Sequence, residues 1–101
     1  MPVLKLKSRH SLSPDEATAR VKKRIAEEVE KQARYVTELK ETATLPNKLE
    51  YSCKVYGFNL SGQFHSTESE VAVEVNLPFA AMMVKGMIES QLQSALDQAL
   101  S

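Results

Sequence analysis

The sequence has a single cysteine, two histidines, three glycines and no excess of charge of either sign, and each shortage removes a class of function. With Cys53 alone, no disulfide can close within the chain, and a reducing, cytoplasmic setting is the expectation. Two histidines and one thiol do not make a zinc set. Lys and Arg number 13 and Asp and Glu number 13. Nucleic-acid binding ordinarily needs a basic stripe that releases counterions, so no nucleic-acid partner is expected. No run approaches the roughly 18 apolar residues of a membrane span, and Met1-Pro2-Val3-Leu4-Lys5 lacks the apolar core of a signal peptide. A P-loop, a dinucleotide-binding glycine pattern, a nucleophile elbow and a calcium loop are all missing. The expectation is a protein that is not an enzyme, with no metal and no cofactor.

What is present is size and pattern. The 101 residues are 43% apolar, enough for one domain over 1–101 without staples. Leu4 and Leu6 alternate with Lys5 and Lys7 in a first strand over Met1 to Arg9, with Pro2 at its start. Ser13-Pro14-Asp15-Glu16 then reads as a helix start. Ser13 is the cap, Pro14 the first helical residue, and Glu16 is placed to reach back to the cap. Ala17, Val21, Ile25, Val29, Ala33 and Val36 recur at helical spacing, which predicts a helix to about Glu41. At 1.5 Å per residue it would be about 40 Å long. Three alternating strands follow, through Leu49–Val55, Phe58–Phe64 and Val71–Leu77, and a last helix from Pro78. The fold class is α+β, β-α-β-β-β-α, an antiparallel sheet with two helices packed on one face. Strands of about eight residues span only about 27 Å. The first helix would overhang them, which predicts a homodimer.

Few residues offer chemistry. His10 stands at the first strand-to-helix junction, either as a ligand contact or as a side chain fastening the turn to the backbone. Cys53 falls on the apolar face of its strand, where a thiol is inert packing. Met83 and Met87 fall on the apolar stripe of the last helix, whereas Phe79 and Met82 form an exposed apolar patch suited to a partner. Gln91 falls within the same stripe and needs a buried partner unless the stripe rotates past it. Tyr56, Phe58 and Phe64 read as cross-strand packing.

Together these residues resemble the polyhydroxyalkanoic acid system proteins of the granule region. The resemblance rests on Pro2-x-Leu4-x-Leu6, His10-Ser11-Leu12-Ser13-Pro14 with Glu16-Ala17, Gly57, and Gly62-x-Phe64. It continues through Val71-x-Val73-x-Val75-x-Leu77 to Lys85 and Ile88-Glu89. Between about Lys31 and Asn47 the chain departs from the family pattern, which implies a shorter link into the sheet. The resemblance implies a bacterial, cytoplasmic accessory protein tied to carbon-storage granules, with no catalytic residues to carry over. Two modes of action follow. In the first, the chain contacts a granule, a granule protein or itself through Phe79 and Met82. In the second, it binds an acyl chain between sheet and helices, with His10 or Gln91 as polar contacts. The element order also resembles ribosome hibernation factors, but balanced charge opposes an RNA role.

Overall fold

The computed structural model describes residues 3–101. It contains β1 (Val3–Arg9), α1 (Pro14–Lys31), β2 (Val36–Leu45), β3 (Lys48–Val55), β4 (Phe58–Ser66) and β5 (Glu70–Asn76). A 3-10 segment, Phe79–Val84, leads into α2 (Lys85–Leu100). The strand positions expected at Met1 and Pro2 lie outside the described residues. The strands form one antiparallel sheet in the order β1-β5-β4-β3-β2. The class is α+β as expected, with one more strand than the pattern predicts.

α1 begins where its cap dictates. Ser13 Oγ accepts from the Glu16 N–H at 3.1 Å, and Pro14 opens the first turn. The reciprocal half of the capping box does not form, because the Glu16 carboxylate turns to Arg20 Nε at 3.1 Å. The helix stops at Lys31, ten residues before the predicted end near Glu41. Gln32 leaves helical geometry, and the N–H groups of Tyr35 and Val36 both fold back to the Gln32 carbonyl. The chain then enters β2, rich in the β-branched residues Val36, Thr37, Thr42 and Thr44. Pairing with β3 here outweighs the helical spacing of Ala33 and Val36. At 18 residues, α1 spans about 27 Å, the length of a strand. The overhang that predicted a second copy therefore does not exist.

α1 joins the β1 edge to the β2 edge and so crosses the sheet. α2 runs beside β1, where Gln93 Nε2 donates to the Lys7 carbonyl and Ser8 Oγ donates to Asp97 Oδ1 at 2.6 Å. Arg20 Nη1 donates to the Ser101 carbonyl, tying α1 to the end of α2. The core gathers Leu4, Leu6, Ala17, Val21, Leu49, Phe64, Val71, Leu77, Leu96 and Leu100.

The start of the last helix corrects a further expectation. The predicted stripe carried Met83 and Met87 into the core. Instead Phe79–Val84 is 3-10, with about three residues per turn, which shifts the phase. Ala81 faces the core, while Met83 is 97% exposed and Val84 and Met87 are exposed with it. Gln91 is also exposed, because the stripe has rotated past it.

Candidate functional site

The inner face of the sheet follows from strand alternation and register. Leu6 pairs with Val73, Val73 with Phe64, and Phe64 with Leu49, so these side chains rise toward the helices. One step along, Leu4, Val75, Gly62 and Tyr51 form the next row. Beyond it lie Leu60, Cys53 and Leu39 of β2. The first row is packed. Toward the last, Val75, Leu60, Cys53 and Val55 remain only half-buried although helices stand over the sheet.

The reason is a hollow of about 360 Å³ between sheet and helices. Its walls are almost wholly apolar. α1 supplies Val21, Ile25 and Val29, and α2 supplies Leu92, Ala95, Leu96 and Ala99. The sheet supplies Tyr51, Cys53, Val55, Leu60, Phe64, Val73 and Val75. Small residues face one another across it. Gly62 has no side chain to fill the floor, and a Cβ there would stand 2.8 Å from the Glu74 carbonyl oxygen. Ala95 and Ala99 leave the roof equally short. The volume falls within the range of small-molecule sites, and a dry apolar wall with few polar groups is their usual chemistry.

Polar groups stand at the margin. Arg24 pairs with Glu28 at 3.0 Å, Lys31 stands 3.7 Å from the same Glu28 oxygen, and Arg24, Glu28, Gln32 and the exposed Leu39 line the hollow. Tyr51 stacks against Phe64 with ring centroids 6.2 Å apart. Its hydroxyl donates to Glu41 Oε2 at 2.8 Å, and Glu41 also pairs with Lys22 at 3.4 Å. Burial, then the hydrogen bond to Glu41 and its charge, hold the Tyr51 phenol well above its ordinary range. Burial likewise pushes the Cys53 thiol up. Both walls therefore stay uncharged at neutral pH.

The residues singled out by sequence do not meet here. His10 fastens the β1–α1 junction: its Nδ1 accepts from the Leu12 N–H at 3.0 Å and its backbone N–H donates to the Ser69 carbonyl. Its Nε2 is buried with no protein partner among the described residues. Neither His10 nor Gln91 lines the hollow. Phe79 (77% exposed) and Met82 (44%) both lie on the 3-10 segment, where Met83 and Val84 are exposed as well. Of the aromatic residues, Tyr56 stacks on Tyr35 at 4.6 Å and Phe58 is exposed, so neither packs across the strands on Phe64. Among the described residues no cluster of three His, Cys, Asp or Glu is placed to hold a metal, and no helix is long and apolar enough to cross a membrane. Two other concavities, one along the outer side of α2 and one on the outer sheet face, are lined mostly by polar residues. What the sequence marked faintly was the hollow itself, in Gly62, Ala95 and Ala99.

Residues 4–100 match the family described as polyhydroxyalkanoic acid system protein. No curated protein matches the sequence. Among solved structures, Ara h 8.0201 is similar with 10% identity and a TM-score of 0.50, over 98% of this chain and 97% of that one. TTHA0849 from Thermus thermophilus has 11% identity and a TM-score of 0.41, over 98% and 92%. At such identities the likeness to Ara h 8.0201 is one of fold alone.

Proposed function

The chain belongs to the polyhydroxyalkanoic acid system family, and we propose that it is a non-catalytic module that holds an aliphatic acyl-type chain in the hollow between sheet and helices. One observation carries this reading: about 360 Å³ of space with an apolar lining, in the place where a domain of this size ordinarily packs its core. The hollow opens partly to solvent, so its apolar walls face water. An apolar occupant removes that surface from water. The family name supplies the context, since alkanoate units are aliphatic chains, and a bacterial cytoplasm is the setting that goes with it.

The test is binding of an environment-sensitive apolar dye to wild type and to Ala95→Phe, which fills the roof. Wild type should bind and the variant should not, with both folded by circular dichroism. Equal binding by the two proteins would place the dye elsewhere.

A second reading rests on the exposed cluster of Phe79, Met82, Met83 and Val84. Four large apolar side chains on one short segment support contact with a granule, a granule protein or a second copy. If so, Met83→Asp should reduce partition onto polymer particles, or lower the sedimentation mass if the contact is a homodimer. Loss of neither assigns the patch no such role.

A further inference from the structure

The two helices that cover the hollow differ in what they bring to it. α2 lines it with Leu92, Ala95, Leu96 and Ala99, all apolar. The charged residues that border the space are Arg24 and Glu28 of α1 and Glu74 of β5. Glu74 alternates with the inward Val73 and Val75, and its carboxylate meets Gln63 Nε2 and Lys5 on the opposite face of the sheet. It touches the hollow through its backbone only. On α1, one carboxylate serves two cations: Glu28 Oε1 lies 3.0 Å from Arg24 Nε and 3.7 Å from Lys31 Nζ. Glu27 and Glu30 do not line the hollow. Lys22 on α1 is balanced separately, by Glu41 at 3.4 Å. The Arg24–Glu28–Lys31 cluster therefore carries a surplus of positive charge.

The surplus comes with unused donors. A guanidinium has more N–H groups than one carboxylate contact takes up. Glu28 engages Arg24 at Nε, and the two Nη nitrogens have no hydrogen-bond partner among the described residues. That pair forms an end-on fork, matched to the two oxygens of a second carboxylate. The Arg24 side chain is 29% exposed against 66% for Lys31, so its charge is the less screened of the two. The Gln32 carboxamide, which also lines the hollow, can donate as well.

We propose that the aliphatic occupant ends in a carboxylate, held at the rim by the Nη pair of Arg24, with Lys31 adding to the field that favours it. This rests on the hollow being a binding site. The chain lies on the apolar walls while the head stays at the margin, where it keeps part of its water and avoids the cost of deep burial. Glu28 repels the head, but one carboxylate added to two cations and one anion brings the cluster to neutrality. If a water-sized group takes about 30 Å³, the space holds a chain of on the order of ten carbons.

The experiment measures the affinities of decanoate and 1-decanol at pH 8, by competition with the apolar dye and by calorimetry, for wild type, Arg24→Gln and Glu28→Gln. The two probes share a chain and differ in the head. Arg24→Gln should weaken decanoate roughly three- to tenfold and leave decanol within about twofold. Should Arg24→Gln fail to fold, Glu28→Gln decides alone. It removes the competing carboxylate, so decanoate should tighten about threefold while decanol stays. Decanoate unmoved by the variants, or decanol falling in step with it, overturns the carboxylate head and leaves the binding site standing. Binding of neither probe to wild type overturns both.

Discussion

Gly62 shows how a single residue sets the floor of the site. It pairs with Val75 on one side and Tyr51 on the other, and a Cβ would come within 2.8 Å of a backbone oxygen that cannot swing away. Gly62→Ala should therefore cost about 1–3 kcal/mol, read from a denaturant midpoint. An unchanged midpoint would mean the strands part easily. Two other side chains give a pH dependence. Cys53 is raised from its ordinary 9.0 by burial, and Tyr51 from 10.0 by burial and by Glu41. A raised acid binds its proton more tightly when folded, so the stability it contributes is present below the unfolded pKa and fades as pH rises toward the folded one. Stability should thus fall from about pH 9 upward, and Cys53→Ser should flatten the first part of that fall. Chemical denaturation between pH 8 and 10.5 checks it. A wild-type profile flat across that range would contradict the assigned environments.

At the scale of elements, the sequence announced some boundaries and hid others. The cap at Ser13-Pro14 and the alternation of β1, β3, β4 and β5 were legible, because each is a local signal obeyed locally. The end of α1 was not. Ala33 and Val36 extend its spacing, and Val36 to Leu39 is again a helical step of three. In the structure that step is a bulge: two residues, Glu38 and Leu39, interrupt the register between Thr37 and Lys40, and Glu38 takes φ 54°. The irregularity disguised a strand as a helix. The same holds for Phe79–Val84, whose tighter pitch moved Met83 from the expected core to the surface. Met83→Asp should then change stability by no more than about 0.5 kcal/mol, while Leu96→Ala on α2 should cost about 2–5 kcal/mol. Thermal denaturation of the two variants distinguishes this phase from the regular helix. A large loss from Met83→Asp would restore Met83 to the core.

For the whole molecule, five strands and two helices enclose more room than their side chains fill. That was the least legible feature, since a void is made by side chains that are missing and by the separation of elements distant in sequence. His10 drew attention by its place at the first strand-to-helix junction, and Gln91 because it is polar within an apolar stripe. One instead fastens a turn and the other faces water. The hollow gives a prediction that a merely loose core would not share. Ala99→Val adds volume to the roof, so it should leave the ligand-free protein as stable or more stable and weaken binding of an aliphatic chain. A packing defect without function would show the gain in stability and have no binding to lose.

The most direct measurement is a titration of isotope-labelled protein with 1-decanol, followed by amide and methyl resonances. Occupation of the hollow predicts saturable shifts at Ile25, Cys53, Val75 and Ala99, which share only that space. Shifts confined to Phe79, Met82 and Met83, or none at all, would contradict it.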